Sequence, residues 1–394
     1  LKRWTLLEPP PDLSRDYDLV LLDEAQDLNP CTGHLVFAQN IPVVYVGDPH
    51  QHIYGFNGAK DGLYSNRADV ELRLTRAFRF GPKVAWFANK VMALKGEDKQ
   101  LNGARAFDLS RVHFVDAVGG EYCSGAKNPM MEAATPFIPT DSTPPCVLCR
   151  SNASVLNCAL WIITSFRGVK DNRVHILGNP QKVSATLDSF LEVFKVFNRD
   201  YSRTKYRGYK TLDALKQHAD ATNQPDLRSM CAFVDTHKRN TGRVLDQIRE
   251  HLVGDCDPHV AKVGSIHQSK GGEWDHVVVM PEVMSWLPGM FSVSGKREAV
   301  WLQPWVINPD WHEEVNLLYV AVTRAKLGLY LPKVYGELLD RRPQVSPPLG
   351  AHPSVGYSPR VCSVCAESAL VAVDARELAG ATGSSSSVTW ASGP

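Results

Sequence analysis

The chain has 394 residues, of which 44% are hydrophobic and 22% are charged, which is enough for a core spread over about two or three domains. The formal net charge of +1 argues against a global field that attracts nucleic acid or membranes, so any such site must be local. No run of about eighteen apolar residues predicts a membrane span. The nine cysteines, with no signal-peptide pattern, favour a reduced intracellular compartment over a disulfide framework.

Apolar runs that are typical of strands alternate with helical patterns along most of the chain. The predicted strands are residues 19–22, 43–46, 147–148, 277–280 and 327–331. The predicted helices are residues 84–94, 154–165, 187–197 and 315–325. Because strands that alternate with helices favour parallel pairing, the pattern predicts an α/β fold with mostly parallel sheets.

Composition also predicts how the chain divides into domains. Residues 119–145 are rich in Pro, Gly, Thr and Ser, so we expect them to connect a first domain at 1–118 to a second at 146–336. Residues from about 181 to 255 are more polar and helical, which predicts an insertion in the second domain. Residues 337–394 carry many prolines and a serine run, which predicts a tail of low order.

The stretch LVLLDEAQD, residues 19–27, runs from a buried-looking apolar strand directly into Asp23 and Glu24. Acidic residues after a strand often cap the next helix, which is the plain structural interpretation. The alternative is an ATP site, in which the strand holds Asp23 for Mg²⁺ and Glu24 deprotonates the attacking water. Mg²⁺ takes one or two protein carboxylates together with phosphate oxygens, which suits this pair.

A second apolar run opens the stretch VVYVGDPHQHIYGFNGA, residues 43–59. At the end of a neighbouring strand, Gln51 could touch both the attacking water and the γ-phosphate. Tyr54 and Phe56 are two residues apart, so an extended segment places both rings on one face. Nucleic-acid bases stack on such rings with about 1–3 kcal/mol each, although a hairpin with core aromatics is the plain alternative.

With these motifs the sequence resembles the superfamily 1 DNA helicases of the UvrD/Rep type. The motifs follow the family's order and are DEAQD at 23–27, GDPHQHIYGFNGA at 47–59, LTRAFRF at 74–80, SIHQSKGGEWDHVVV at 265–279 and EEVNLLYVAVTRAK at 313–326. The resemblance implies two RecA-like P-loop NTPase domains with parallel sheets, the first one incomplete, and a small helical insertion. It also implies ATP and Mg²⁺ as cofactors, single-stranded DNA as the partner, and a monomeric motor.

Four details look most like the F-box DNA helicase branch of that family. They are GDPHQ at 47–51, FRFG at 78–81, the long EEVNLLYVAVTRAK at 313–326 and the stretch RGYKTLDALKQHADATNQPDL at 207–227. This branch implies 3′→5′ unwinding in the nucleus, on recombination intermediates and stalled replication forks.

The resemblance also implies roles for single residues, beginning with two arginines that reach the γ-phosphate. Arg79 in AFRF and Arg324 in AVTRAK match those positions. A guanidinium there offsets charge in the transition state, and such arginines are worth about 10³–10⁵ in rate. A surface salt bridge of little energetic value is the plain alternative for either residue.

Other matched positions contact the nucleotide or DNA in the family. Lys270 and Gly271 permit a tight turn at the nucleotide, and Glu273 resembles the residue that contacts the ribose. His267 fits a contact with the DNA backbone. Asn57 stands where Arg is common after the stacking aromatic, which removes one phosphate contact.

Residues 199–210 form a second candidate for nucleic-acid binding because cations and tyrosines interleave there. Arg203 and Lys205 could follow phosphates while Tyr206 stacks on a base. A solvated helical face is the alternative interpretation.

Two C-x-x-C pairs, Cys146 with Cys149 and Cys362 with Cys365, supply enough thiolates for a zinc site. Strand packing explains the first pair better, because it lies in an apolar run. The second pair resembles half of a zinc ribbon whose other half is missing.

The sequence departs from the family at the phosphate-binding loop, since no G-x-x-x-x-G-K-[ST] precedes residue 23. The chain begins with Leu-Lys-Arg-Trp, and we expect that its natural beginning, with this loop and any protein-binding region, lies upstream. A smaller departure is Gly272, which stands where Leu is usual. Two hypotheses follow: the C-terminal part of a helicase, or a catalytically inactive DNA-binding or regulatory module.

Overall fold

A computed structural model describes most of the chain. The described residues are 12–55, 63, 68–97, 100–104, 110–116, 128–139, 142–166, 172–201, 204–255, 257–284, 292–293, 296–297, 311–333, 335–336 and 370–373. The chain divides into two compact units. The first unit comprises residues 1–76, 97–101 and 357–394, and the second comprises residues 77–96 and 102–356.

The described strands and helices alternate along most of the chain. The strands are β1 (Val20–Leu22), β2 (Val43–Gly47), β3 (Val70–Arg73), β4 (Arg76–Ala77), β5 (Asn102–Gly103), β6 (Arg111–Val115), β7 (Cys146–Cys149), β8 (Val174–Ile176), β9 (Ala261–Ser265), β10 (Trp274–Val279), β11 (Ser292–Val293), β12 (Lys296–Arg297), β13 (Ala325–Pro332) and β14 (Leu370–Val373). The helices are α1 (Pro30–Phe37), α2 (Pro82–Ala93), α3 (Pro129–Ala134), α4 (Asn152–Ser165), α5 (Pro180–Phe197), α6 (Leu212–Ala221), α7 (Pro225–His237), α8 (Thr241–Glu250), α9 (Ile266–Ser269) and α10 (Trp311–Val322).

The described part of the first unit holds a sheet in the order β1-β2-β14-β3. β1 and β2 are parallel, with Val20 opposite Val43 and Leu22 opposite Tyr45. β14 runs antiparallel to both of its neighbours. A small core supports this sheet, and its buried members are Ala25, Val36, Val43, Tyr45 and Leu63.

Two features of this unit differ from the sequence predictions. β14 lies inside residues 337–394, which the composition predicted to be a tail of low order. Leu21 in the middle of β1 is 72% exposed, so this apolar run is not a fully buried strand. The burial of β1 alternates along the strand, with Leu21 on the more exposed face and Val20 and Leu22 half-buried on the other.

The second unit confirms the predicted α/β fold with a parallel sheet. Its described strands follow the order β6-β13-β10-β7-β9-β8, and each pair is parallel. In the middle of the sheet, Val277 lies opposite both Cys146 and Leu329. Every residue of β7 is buried, as expected for a central strand of a parallel sheet that is covered on both faces.

The division into units differs along the chain from the predicted domain limits. β6 pairs with β13 over its whole length, with Arg111 opposite Gly328 and Val115 opposite Pro332. Residues 111–115 therefore belong to the second sheet, whereas the sequence analysis assigned residues 1–118 to the first domain. The pairing is long-range, which explains why composition alone did not reveal it.

Helices α5 to α8 follow β8 and precede β9, within the range where a helical insertion was predicted. Phe190 on α5 meets Phe233 on α7 edge to face, with ring centroids 5.0 Å apart, and both rings are buried. Among the residues that the structure describes, no helix has the length and apolar character that crossing a membrane requires.

We predict that the stability of the second unit depends on pH through His237, at the end of α7. His237 Nε2 lies 2.8 Å from Asn157 Oδ1, and burial lowers the pKa of His237 below its ordinary value of 6.5. At pH values between the folded and unfolded pKa of His237, the unfolded chain therefore binds a proton at this residue and the folded chain does not. The resulting stability is complete above pH 6.5 and falls as the pH drops from there towards the lower folded pKa.

Urea unfolding at about pH 7.5 and about pH 5.5 measures this effect. The free energy of unfolding should fall less on acidification in His237→Gln than in the parent. His259→Gln, at an exposed histidine, should behave like the parent. An equal fall in the parent and His237→Gln would contradict the prediction.

Candidate functional site

The predicted ATP-site residues of the first unit lie at one edge of its sheet. Asp23 and Glu24 follow β1 directly, and Gln51 ends a short 3-10 turn, Pro49–Gln51, after β2. Because β1 and β2 are parallel neighbours, their carboxyl ends meet at the same edge. The structure thereby brings the two stretches with candidate catalytic residues together.

A chain of hydrogen bonds joins the predicted catalytic residues Glu24 and Gln51. Gln26 Nε2 donates to Glu24 Oε2 over 2.5 Å, and Gln26 Oε1 accepts from the backbone N–H of Asp48 over 3.0 Å. Asp48 Oδ2 then accepts from Gln51 Nε2 over 2.8 Å. Gln26 and Asp48 are buried, so water competes little for these bonds. The sequence analysis missed both connecting residues.

Glu24 has a backbone conformation that is unusual for its residue type. Its φ of 54° lies in the left-handed region, where a side chain other than glycine is uncommon. Its backbone N–H donates to Asp23 Oδ1 over 2.9 Å, which helps to hold this turn. Such local strain often accompanies a functional site. Both carboxylates are exposed, whereas the next residues, Ala25 and Gln26, are buried.

The donor set at Asp23 fits the predicted Mg²⁺. The described residues contain no group of three or more His, Cys, Asp or Glu that could hold a metal ion. A Mg²⁺ that is shared with ATP needs only one or two protein carboxylates, since phosphate oxygens and water complete its octahedron. The exposed carboxylate of Asp23, at the end of β1, supplies this smaller set.

In the second unit, both predicted arginines contact Thr323. Arg79 Nη1 donates to Thr323 O over 3.3 Å, and Arg324 Nη2 donates to Thr323 Oγ1 over 3.1 Å. Arg79 Nε also pairs with Glu273 Oε2 over 2.9 Å. The structure therefore joins residues from three of the predicted motifs in one cluster.

Arg324 is a buried member of this cluster, with only 1% of its surface exposed. Its Nε donates to Val320 O over 3.0 Å, and its Nη1 donates to Gly272 O over 3.3 Å. These bonds fasten the loop before β10 to the end of α10. Arg79 is more accessible, with 30% of its side chain exposed.

The loop before β10 holds Gly272, which stands where Leu is usual in the family that the sequence resembles. A Cβ at Gly272 would lie 2.5 Å from Cη2 of Trp274, so any side chain there needs the indole to move. Gly271 has a φ of 82°, which agrees with the predicted tight turn. Lys270 is half-buried beside it, and Glu273 follows with its carboxylate near Arg79.

The predicted DNA-binding residues that the structure describes belong to both units, with Tyr54 in the first and His267, Lys205 and Tyr206 in the second. Phe56, Asn57 and Arg203 lie outside the described residues. Tyr54 is half-buried after β2 in the first unit. His267 lies in α9, where Ser265 and Gln268 form a capping box.

Lys205 and Tyr206 lie together, because the Lys205 ammonium is 5.0 Å from the centroid of the Tyr206 ring. Tyr206 also packs against the helical core of the second unit. The backbone N–H of Lys205 donates to Glu192 Oε2 over 3.1 Å, and Thr204 Oγ1 donates to Glu192 O over the same distance. The segment is therefore anchored to α5, and Lys205 is exposed, as are Arg207 and Lys210.

The cysteines lend no support to a zinc site. Cys146 and Cys149 are both buried in β7, and burial raises the pKa of the Cys146 thiol well above its ordinary value. A thiol that resists ionisation is a poor zinc ligand. Cys362 and Cys365 lie outside the described residues.

Two family models match the chain in the order of its motifs. The UvrD/REP helicase N-terminal domain matches residues 9–69, and the UvrD-like helicase C-terminal domain matches residues 209–335. The chain belongs to the UvrD-like helicase family. The resemblance predicted from the motifs is thus confirmed.

Relatives of this UvrD-like chain include two F-box DNA helicases. F-box DNA helicase protein 1 of Schizosaccharomyces pombe is 30% identical over 334 residues, which cover 82% of this chain and 34% of the relative. F-box DNA helicase 1 of Gallus gallus is 28% identical over 352 residues, which cover 86% and 31%. A shorter match joins residues of this chain to the mitochondrial ATP-dependent DNA helicase HMI1 of Saccharomyces cerevisiae, with 31% identity over 99 residues, 23% of this chain and 14% of the relative. The chain thus spans about a third of the length of its F-box relatives.

The sequence analysis of this UvrD-like chain missed Phe78, which directly precedes Arg79. Its side chain is 72% exposed, which is uncommon for a large apolar ring. An exposed aromatic ring beside a predicted γ-phosphate arginine can offer a stacking face to a nucleotide base. The sequence contained a signal for this, because Phe78 lies between Arg76 and Arg79 and is not part of a regular spacing of apolar residues.

We predict that Gly47→Ala disrupts the Gln26 connection in the first unit. A Cβ at Gly47 would lie 2.4 Å from Gln26 Oε1 and 3.1 Å from the backbone nitrogen of Ala25. Overpacking of this kind costs about 1–3 kcal/mol. Thermal unfolding should show the loss, and Gly208→Ala, whose Cβ meets nothing within 4 Å, is the matched control. Equal unfolding temperatures for both variants would show that the amide moves aside freely.

Proposed function

We propose that this chain carries the hydrolytic and strand-binding part of an ATP-dependent 3′→5′ DNA helicase. The observation that supports this best is the hydrogen-bond chain from Glu24 through Gln26 and Asp48 to Gln51. A water-activating carboxylate and an amide for the γ-phosphate, held by one buried network, are what ATP hydrolysis requires.

In this proposal Glu24, Gln51 and Asp23 of the first unit each have one task. Glu24 accepts the proton of the attacking water, and Gln51 orients that water against the γ-phosphate. Asp23 would hold Mg²⁺, which when bound offsets the charge of the phosphate oxygens. The left-handed backbone of Glu24 fixes the direction in which its carboxylate leaves the strand.

The second unit supplies positive charge for the phosphates. Arg79 is the better candidate for direct phosphate contact, because its guanidinium is partly exposed whereas Arg324 is buried. Arg324 then acts by fixing the loop that carries Gly272 and Glu273. Glu273 would contact the ribose once Arg79 turns towards a phosphate, because their present pair is partly exposed and therefore weak.

Single-stranded DNA is the proposed track, with Tyr54 and Phe56 as stacking residues and His267 and Lys205 as backbone contacts. Nucleotide-dependent movement of these residues would advance the strand by shifting populations between conformations. The similarity to two F-box DNA helicases supports DNA unwinding. We propose that it takes place in the nucleus, in recombination and replication-fork repair. We propose a monomeric motor, with any protein partners bound outside these residues.

The alternative is a catalytically inactive DNA-binding or regulatory module. It differs from the helicase proposal in one respect, because a module of this kind needs no G-x-x-x-x-G-K-[ST] loop. That loop holds the β- and γ-phosphates in P-loop enzymes. The alternative predicts DNA binding without DNA-stimulated ATP hydrolysis, whereas the helicase proposal predicts both in the full-length protein.

Glu24→Gln tests the hydrolytic proposal in the full-length protein that carries these residues. The amide cannot accept the proton of water, so DNA-stimulated phosphate release should fall by about 10²–10⁴ while ATP binding is retained. Glu71→Gln is the matched control, because Glu71 lies on β3 and pairs with the nearby Arg73. Normal turnover in Glu24→Gln would remove Glu24 from the role of general base.

Phe56→Ala tests the proposed DNA track. Loss of one stacking ring should weaken binding of a single-stranded oligonucleotide by about 5- to 100-fold at fixed salt, with nucleotide affinity nearly unchanged. Fluorescence anisotropy measures the first quantity, and Phe137→Ala, at an exposed ring outside the predicted motifs, is the control. Unchanged DNA affinity in Phe56→Ala would exclude this stacking role.

A further inference from the structure

A buried pair, His50 and Glu97, lies behind the turn that carries Gln51. Their side chains are 3% and 2% exposed, and His50 Nε2 is 3.5 Å from Glu97 Oε2. Both residues belong to the first unit, although 46 residues separate them along the chain. Removing such polar groups from water is costly, and a pair of this kind rarely improves stability over apolar residues.

The pair is also incompletely satisfied. Within the described part of the chain, Glu97 Oε1 is buried and makes no hydrogen bond. A buried polar network that serves stability alone usually satisfies every member. The incomplete bonding of Glu97 therefore indicates that the pair has a purpose other than maximal stability.

His50 fixes the turn Pro49–Gln51 from two sides. Its backbone N–H donates to Asp48 Oδ1 over 2.9 Å, and its ring is held by Glu97. The other oxygen of Asp48 accepts from Gln51 Nε2. If the ring of His50 loses its contact with Glu97, the turn can rotate. The two carboxylate oxygens of Asp48 would then no longer be in line with their donors, His50 N–H and Gln51 Nε2.

The geometry points to the His50–Glu97 pair as a positioning element for ATP hydrolysis. Neither residue is proposed to touch the nucleotide. The pair fixes Gln51 through the turn, and it fixes Glu24 through Asp48 and Gln26. This inference rests on the proposed ATP hydrolysis and extends it to a buried carboxylate that no motif contains.

Glu97→Ala in the full-length protein tests the inference. The maximal rate of DNA-stimulated ATP hydrolysis should fall by about 10- to 100-fold, because small displacements of reacting groups cost that much. The Michaelis constant for ATP should change by less than about threefold, since the pair acts on the transition state. Glu97→Gln, which keeps an oxygen acceptor for His50, should recover most of the rate, and Glu71→Ala should match the parent.

A double-variant cycle separates positioning from a general loss of stability. Because Glu97 acts on Gln51 and Glu24 through one network, Gln51→Ala combined with Glu97→Ala should lose less activity than the product of the two separate losses. Multiplicative losses in the double variant would overturn the inference, as would a parental rate in Glu97→Ala.

Hydrogen exchange keeps the failure of the inference distinct from failure of the proposed function. In Glu97→Ala, the peptide that covers the turn Pro49–Gln51 should exchange about tenfold faster than in Glu71→Ala, since it has lost its buried anchor. Faster exchange in a protein whose parent hydrolyses no ATP would refute the proposed function and leave the anchor in place. Unchanged exchange would refute the anchor itself.

Discussion

The candidate site depends on the buried amide of Gln26. This one side chain donates to Glu24 and accepts from the backbone of Asp48, so it ties the end of β1 to the end of β2. Leaving a buried amide without one of its hydrogen-bond partners costs about 1–3 kcal/mol, so the folded state favours keeping both bonds of Gln26. It also requires Gly47, because any Cβ there would collide with the amide oxygen. The residue types at positions 24, 47 and 48 are therefore linked to the one amide group of Gln26.

A buried guanidinium has the corresponding role in the second unit. Arg324 donates to the carbonyls of Val320 and Gly272 and to the hydroxyl of Thr323, so it ties the loop before β10 to the end of α10. Arginine suits this place because it keeps its charge and presents several donors in a fixed plane. Arg79, which is partly exposed, contacts the same loop through its hydrogen bond to Glu273. Each unit therefore uses a buried polar side chain to position a more accessible one.

The sequence predicted those strands that contain an apolar run, including β2, β7, β10 and β13. β6, β8 and β9 were missed because polar residues such as His113, His175 and Lys262 interrupt them. Asp23 and Glu24 could be predicted from the sequence, because carboxylates directly after an apolar strand are typical of a catalytic or metal-binding site. Gln26 and Glu97 were not, because their importance lies in burial and in partners that are distant along the chain.

Each unit presents an accessible charged group of a different sign. The first unit presents the exposed carboxylates Asp23 and Glu24, while the second presents the guanidinium of Arg79. Carboxylates suit a metal ion and a water that must lose a proton, whereas a guanidinium suits the oxygens of the transferred phosphoryl group. In each unit the reactive end is exposed and its support is buried, which limits the reorganisation that catalysis would otherwise require. An exposed side chain without such support would sample many orientations and would spend little time in a reactive one.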